Sequence, residues 1–187
     1  MSVPPILSAA RIEAARVVLR KARDADRDRL IELRTDPDVW AHLGGPLPRE
    51  AVERRLAEIG PAAATAAPGA FVIADRATDD LIGTVTLSRR AADLPGHVTE
   101  DGGELELGYL LRRDAWGAGL AYEAAAAVLR AAAAELPDQP VILVTQTANV
   151  RSLRLAARLG FEPVGTFEQF GAGQTLGRLA RLHSFED

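Results

Sequence analysis

A strand, a glycine turn and a long helix follow one another in the second half of this chain, and this succession constrains the fold most. The segment ELELGYLL, Glu104 to Leu111, alternates in the manner of a β-strand. Gly117 and Gly119 then precede an alanine-rich helix that extends to Leu136. Glycine lets a backbone approach a ligand closely, and the first amides of a helix have no partners within it. The succession therefore predicts an anion site suited to a phosphate.

Length and composition indicate one folded domain. The 187 residues are 48% hydrophobic and 26% charged, which is ordinary for a globular protein. We expect residues 1–15 to be loosely ordered and residues 16–187 to form a single domain. The sequence has no apolar run that would span a membrane, and its start lacks the basic leader and apolar core of a signal peptide. We therefore expect a cytoplasmic protein with no membrane partner.

Several kinds of site are disfavoured by composition. The chain has no cysteine, which excludes disulfides, thiolate metal sites and covalent intermediates on a protein thiol. His42, His97 and His183 are far apart without ligand-like spacing, so we predict no metal site. The net charge of -4 argues against a nucleic-acid partner bound through a global positive field.

Apolar periodicity and turn residues predict the order of the elements. We expect strands over residues 16–22, 71–76, 81–89, 104–111, 140–147, 161–170 and 176–183. We expect helices from Asp24 or Asp26 to Leu33, over residues 49–59, from the glycine turn to Leu136, and over residues 149–159. Early hairpins followed by helical crossovers predict an α+β (mixed α/β) domain, with a mostly antiparallel twisted sheet flanked by helices.

The glycine turn and a later segment together resemble a known family. The order of strand, glycine turn, alanine-rich helix, apolar strand and TANVRSLRLAARLGFEPVG (residues 147–165) is similar to the GNAT superfamily of acyl-CoA-dependent N-acetyltransferases. The closest subgroup is the RimJ/RimL-like type, and the resemblance covers nearly the whole chain. It implies a GNAT-like fold with a splayed central strand pair and acetyl-CoA as cosubstrate.

The resemblance assigns residues to the coenzyme. In the family the pyrophosphate lies in a loop of the form Arg or Gln, two residues, Gly, one residue, Gly or Ala. The matching residues here are Trp116, Gly117, Ala118, Gly119, Leu120 and Ala121. Trp116 departs from the usual Arg or Gln, but the backbone donors that bind a diphosphate remain.

Other residues complete the expected coenzyme site. The resemblance implies that Asn149 lines the coenzyme, although Asn149 is also suited to cap a helix. Gly108 predicts a bulge or a close backbone approach. The resemblance implies that this feature opens the strand pair and that Leu110 and Leu111 bond the pantetheine arm. Three arginines are further candidates for the coenzyme phosphates: Arg112, Arg113 and Arg151.

Carboxylates and one hydroxyl are the candidate catalytic groups. Glu106 is the predicted base, since ELGY resembles the subgroup's Glu, apolar, Gly, Tyr pattern, and Glu104 on the same strand face is the alternative. We expect Tyr109, on the opposite face, to pack rather than react. The family's usual acid is a tyrosine four residues before the Gly-Phe pair, where this chain has Ala156. The resemblance then implies Ser152 or solvent as the acid.

The resemblance implies an acetyl-CoA-dependent N-acetyltransferase that acts on a primary amine of a protein N-terminus or a small molecule. Without a cysteine, direct attack in a ternary complex is the expected mechanism. Glu100, Asp101, Glu104 and Glu106 predict an acidic acceptor side suited to a cationic amine, unless they form only a solvated loop. A non-catalytic, acetyl-CoA-binding sensor or interaction module is the alternative, which Ala156 favours. Dimers are frequent in the subgroup, so the resemblance leaves a homodimer as one alternative for the oligomeric state.

Overall fold

A computed structural model describes residues 5–185, and this part of the chain contains eight strands and four α-helices. The strands are β1 (Arg11–Glu13), β2 (Val17–Arg20), β3 (Ala70–Asp75), β4 (Leu81–Arg89), β5 (Leu105–Leu111), β6 (Val141–Gln146), β7 (Glu162–Gln169) and β8 (Ala172–Leu179). The helices are α1 (Arg27–Thr35), α2 (Arg49–Ile59), α3 (Leu120–Glu135) and α4 (Val150–Arg158).

All the strands belong to one sheet, in the order β1-β2-β3-β4-β5-β6-β8-β7. Neighbouring strands are antiparallel except β5 and β6, which are parallel and joined through α3. A parallel pair needs a long crossover connection, which the sixteen-residue helix α3 provides. The predicted α+β class with a mostly antiparallel sheet is confirmed.

The helices cover both faces of the sheet. Buried residues of α3 and α4 pack in one apolar cluster with Leu105 and Leu107 of β5. Buried residues of α1 and α2 pack in a second cluster with Val72 and Leu81. Alanine dominates the buried side of α3 and is the best helix former, and its small side chain lets this helix lie close to the sheet. Each fully buried leucine of these clusters contributes about 1.5–3 kcal/mol.

The sheet opens between its two central strands. β5 and β6 pair only at Leu105 with Val141 and at Glu106 with Ile142. Both strands continue beyond these pairs, to Leu111 and Gln146, without further pairing to each other. The predicted splayed central pair is therefore confirmed.

Gly108 lies in this opened part of β5 without a bulge. The register between β4 and β5 is unbroken, so the predicted alternative of a bulge is wrong. A Cβ atom at Gly108 would lie 3.0 Å from the Thr86 hydroxyl, so the close approach is the alternative that the structure contains.

The sequence missed or misplaced elements near both ends. β1 falls within the segment that we expected to be loosely ordered, where its short exposed stretch carries no strand pattern, and residues 1–4 lie outside the described residues. The last strand was predicted over residues 176–183 but is β8, which begins at Ala172. Phe170 and Gly171 both have positive φ, as a two-residue hairpin turn between β7 and β8 requires. This early turn shifts the strand toward the N-terminus.

No helix within residues 5–185 is long and apolar enough to cross a membrane. The same residues contain no group of three or more histidine, aspartate or glutamate side chains placed to hold a metal ion.

Candidate functional site

A cleft of about 1340 Å³ lies where β5 and β6 separate. Residues from both faces of the sheet line it, so we describe it in two halves. The α3 half is lined by Trp116, Gly117, Gly119, Leu120, Ala121, Tyr122, Asn149, Arg151, Ser152, Arg154 and Arg158. The α1 half is lined by Arg34, Asp38, Val39, Trp40, His42, Leu43, Thr84 and Thr86. Tyr109 and Leu111 of β5 lie between the halves.

The glycine turn opens the α3 half. Gly117 has φ 82° and Gly119 has φ 78°, a left-handed backbone that favours glycine. Gly119 is the N-cap of α3, and its missing side chain cannot cap the first amides of the helix. Unpartnered amides at a helix start form a site for an anion. Ala118, also predicted to bind the coenzyme, is not among the lining residues, and its carbonyl accepts a bond of 2.9 Å from Arg16.

The ladder between β4 and β5 determines which backbone groups of β5 face the cleft. The Arg90 N–H donates to the Glu104 carbonyl, and the Arg112 N–H donates to the Ile82 carbonyl. Hydrogen-bonded pairs alternate along an antiparallel ladder, so the residues two, four and six positions after Glu104 also direct their backbones toward β4. The intervening residues direct their backbone N–H and carbonyl groups toward β6, which is not paired with β5 beyond Glu106.

This alternation separates the two leucines predicted to bind the coenzyme. The Leu110 backbone is directed toward β4, although the residue lines the cleft. The Leu111 backbone is directed toward the cleft, and its carbonyl accepts a bond of 3.0 Å from the Trp116 indole. Leu107 and Tyr109 share this orientation. Alternate residues of β5 therefore offer amides to an extended ligand.

Positive charge in the α3 half comes from α4. The Arg151 guanidinium lies 4.2 Å from the centre of the Trp116 ring, and Arg158 lies 4.6 Å from that of Tyr122. Within residues 5–185, Arg151, Arg154 and Arg158 have no ion-pair or hydrogen-bond partner. Such cations attract a phosphorylated ligand.

The other two arginines predicted for phosphates are engaged elsewhere. Arg112 pairs with Asp114 at 2.7 Å and with Asp80 at 3.2 Å. Arg113 pairs with Asp38 of the α1–α2 connection. Neither arginine lines the cleft, so the expectation that they meet coenzyme phosphates is wrong.

Two hydroxyls meet beside the opened strand. The Tyr109 hydroxyl lies 2.8 Å from the Ser152 hydroxyl. Burial raises the pKa of Tyr109, while the hydrogen bond to Ser152 lowers it by less, so the tyrosine keeps its proton. Asn149 caps α4 by accepting from the Ser152 N–H at 3.1 Å. Tyr109, expected only to pack, therefore also presents its hydroxyl to the predicted acid.

The predicted base is held by an ion pair. Both Glu106 oxygens lie 3.0 Å from one nitrogen of Arg90. The Arg90 side chain is 4% exposed and that of Glu106 is 25% exposed. Glu106 is not among the residues that line the cleft, but it lies on the same strand face as Gly108, two residues away, which does. A quarter of this carboxylate side chain is exposed, next to the strand position that borders the cleft.

Glu104, the alternative base, anchors a loop. Its carboxylate accepts from the Val98 and Thr99 amides at 2.7 Å each and contacts His97 Nδ1 at 2.6 Å. Burial acts to raise the pKa of Glu104, but these hydrogen bonds outweigh it and hold the pKa at about 2. This carboxylate is therefore committed to the loop of residues 91–103.

The α1 half differs from the acidic surface that the sequence predicted. None of the four predicted carboxylates, Glu100, Asp101, Glu104 and Glu106, lines it. Its one carboxylate, Asp38, is paired with Arg113. Glu104 and Glu106 are bonded within the fold and Glu100 and Asp101 are not among the lining residues, which favours the alternative of a solvated acidic loop.

Sequence reasoning also missed the residues that do line the α1 half. His42 was one of three histidines without a pattern, and Arg34 and Trp40 carried no signal. Thr84 and Thr86 alternate along β4, a period that would have placed both on one face.

Residues 16–162 match the sequence model of the acetyltransferase (GNAT) domain. The chain belongs to this family. A relative described as uncharacterized N-acetyltransferase p20, from Bacillus licheniformis, is 25% identical over 172 residues, which is 91% of each protein. GNAT acetyltransferases use acetyl-CoA, so the open glycine turn and the arginines of α4 fit the family's anionic coenzyme. The GNAT chain is accordingly an N-acetyltransferase.

Solved structures show the same fold. A GNAT-family acetyltransferase from Bacillus anthracis has a TM-score of 0.72 at 20% identity, covering 91% of this chain and 98% of that one. A GCN5-related N-acetyltransferase from Brucella melitensis has a TM-score of 0.72 at 18% identity, covering 96% of this chain and 82% of that one.

Proposed function

We propose that this N-acetyltransferase transfers the acetyl group of acetyl-CoA to a primary amine by direct attack in a ternary complex. The observation that carries the proposal is the cleft at the separated strands, which is lined from both faces of the sheet. Two substrates that enter from opposite faces would meet at Tyr109 and Leu111. The chain contains no cysteine to carry the acetyl group in between.

The α3 half would hold the coenzyme. The amides from Gly117 to Ala121 would bind the diphosphate, as unpartnered amides at a helix start do. Arg151, stacked on Trp116, would supply the positive charge that the family usually has in the loop itself. The backbones of Leu107, Tyr109 and Leu111 would bond the extended pantetheine arm. When bound, acetyl-CoA supplies a thioester that an amine can attack.

The residues between the halves would assist the transfer. The amine nitrogen bonds the carbonyl carbon, the carbon–sulfur bond breaks, and the ammonium proton passes through water to Glu106. An amide of β5 would polarise the carbonyl oxygen. Ser152 would pass a proton to the sulfur and regain one from the Tyr109 hydroxyl bonded to it, which solvent would reprotonate. Because a thiol has a pKa of about 8.5, the thiolate leaves readily and the acid contributes less than the base.

Release of free thiol from acetyl-CoA, measured across a panel of primary amines, tests the proposal. The panel includes small amines and peptides with free N-termini, since either class of acceptor agrees with the family. We expect thiol release that requires the amine and yields one acetylated amine per thiol. Tight binding of acetyl-CoA without release for any amine would instead support the alternative, a coenzyme-binding sensor of the same fold.

A further inference from the structure

Arg34 is a cation without a partner in the α1 half of the cleft. It lies near the end of α1 and is partly buried, and its carbonyl accepts from the Leu47 N–H at 3.1 Å. Across the described range 5–185, no acceptor bonds its guanidinium and no carboxylate pairs with it. Burial lowers the pKa of Arg34, and the nearby charge of Arg55 lowers it further.

Two arginines that are buried elsewhere in the fold each have an ion-pair partner. Arg20, with a side chain 7% exposed, pairs with Asp26 at 2.7 Å. Arg90, at 4%, pairs with Glu106 at 3.0 Å. A charge that leaves water is costly unless a partner compensates it. Arg34 has lost part of its hydration but receives no partner from the protein, and it borders the cleft.

The other groups of the α1 half do not offset this charge. Asp38 is paired with Arg113, and the remaining lining, for example Trp40 and Thr84, adds no carboxylate. A substrate with amino groups alone would therefore meet a positive charge and no free carboxylate. The planar guanidinium of arginine instead matches a carboxylate, to which it donates two parallel hydrogen bonds.

We propose that the acceptor is a small amine that also carries a carboxylate, namely a free amino acid, and that Arg34 binds this carboxylate. The inference rests on the proposed function and adds the class of acceptor. The amine nitrogen takes the acetyl group, and the carboxylate stays ionised against Arg34. A protein N-terminus has an amide in place of this carboxylate and would be a poorer acceptor.

Pairs of acceptors that differ only in the carboxylate provide the test. Thiol release from acetyl-CoA is measured for a panel of amino acids and for the carboxamide of each. We expect kcat/KM for the preferred amino acid to exceed that of its carboxamide by about tenfold or more, since a bond to a charged group is lost. The amine of an amino acid carboxamide loses its proton more readily than the amine of the amino acid itself. The carboxamide therefore offers more free amine near neutral pH, which works against the expected preference for the amino acid.

Variants assign the preference to Arg34. Arg34→Met should lower kcat/KM for the amino acid to the value for its carboxamide. Arg34→Lys should retain part of the difference between the two. The control Arg54→Met removes an exposed charge from α2 and should retain all of it. The KM for acetyl-CoA should be unchanged in each variant, which also shows that the variant is folded. A preference for the carboxamide, or one unchanged in Arg34→Met, overturns the inference.

A binding measurement separates this inference from the proposed function. Calorimetry with N-acetyl amino acids and their carboxamides, in the presence of coenzyme A, needs no turnover. Tighter binding of the acids, lost in Arg34→Met, supports the carboxylate site even if no amine releases thiol, and only the proposed function then fails. Equal binding of acids and carboxamides overturns the carboxylate site even if acetyl transfer to other amines is observed.

Discussion

At the scale of single residues, ion pairs determine which charged groups can take part in the reaction. Glu104 is occupied by the loop of residues 91–103, and Asp38 is occupied by Arg113. Glu106 also has a partner, but a single nitrogen of Arg90 contacts both of its oxygens and a quarter of the side chain remains exposed. Of these three carboxylates, Glu106 lies on β5 where its pairing with β6 ends, so it remains the candidate base.

The first prediction concerns Glu106 as the base. Glu106→Gln keeps the size and removes the basicity, so the rate near neutral pH should fall about a hundredfold. The loss should shrink as the pH rises, because the free amine then forms without help. Rate–pH profiles of the parent and the variant provide the measurement.

His42→Gln is the matched comparison, since His42 lines the cleft directly. Profiles of equal height for the parent and Glu106→Gln, with a loss in His42→Gln, would move the role of base to the histidine.

The second prediction concerns the two hydroxyls. Ser152→Ala should lower kcat about threefold to tenfold and leave acetyl-CoA affinity unchanged, because the hydroxyl acts only as the thiolate departs. Tyr109→Phe should lower kcat similarly, since Tyr109 contacts Ser152 at 2.8 Å. The measurements are kcat from thiol release and the acetyl-CoA dissociation constant by calorimetry. An unchanged kcat in Ser152→Ala would leave protonation of the thiolate to solvent.

At the scale of elements, the glycine turn that directly precedes α3, residues 116–119, combines two requirements. It must reverse the chain with a left-handed backbone, and it must leave the first amides of α3 without side-chain caps. Glycine meets both requirements, because a Cβ atom disfavours this backbone by about 1–2 kcal/mol. An ordinary capping residue such as serine would occupy the amides that the proposed diphosphate needs.

The third prediction follows from this turn. Gly119→Val adds a branched side chain at φ 78°, so the turn should shift and acetyl-CoA affinity should fall about tenfold or more. Calorimetric titration with acetyl-CoA is the measurement. The control is Gly165→Val in β7, where φ is ordinary and no atom lies within 4 Å of the added Cβ. Equal affinities in Gly119→Val and the parent would show that the diphosphate binds elsewhere.

At the scale of the whole molecule, a buried carboxylate and the two arginines at the end of β4 join the loop of residues 91–103 to the sheet. Glu104 is 4% exposed and accepts from Val98, Thr99 and His97. The adjacent Arg90 bonds the Pro95 carbonyl at 3.1 Å and contacts the Phe167 ring at 5.8 Å. The loop, β4 and β7 are therefore coupled at this end of the sheet.

The fourth prediction is a pH dependence of global stability. The pKa of Glu104 falls from an ordinary 4.5 to about 2 on folding. The ionised group therefore stabilises the fold fully above pH 4.5, and this contribution, about 3 kcal/mol, is lost as the pH falls from 4.5 to 2. Glu104→Gln should be less stable than the parent at pH 7, and the difference should narrow at pH 3. Urea unfolding at each pH measures it.

Glu100→Gln is the control, because Glu100 is an exposed carboxylate of the same loop. Its unfolding free energy should follow that of the parent at every pH. A constant difference between Glu104→Gln and the parent from pH 7 to pH 3 would contradict the assignment.

Local physics made much of the fold predictable from sequence. The helix over residues 49–59 and the strand over residues 81–89 have the predicted bounds, because apolar period and helix or strand propensity are properties of adjacent residues. Gly117 and Gly119 indicated the turn for the same reason, since a left-handed backbone selects glycine wherever it occurs. β1 escaped prediction because three exposed residues carry no period.

The sequence by itself thus determined the order of the elements and the glycine turn of the cleft, because each depends on residues close together in the chain. Only the tertiary structure decided which charges are engaged. Asp38 and Arg113 are 75 positions apart, and nothing local marks them as a pair. In the sequence, Arg34 resembles any other arginine on a helix. It differs because the fold places no hydrogen-bond or ion-pair partner beside its guanidinium within residues 5–185. Ion pairing depends on distances in space, which residue types and spacing do not encode.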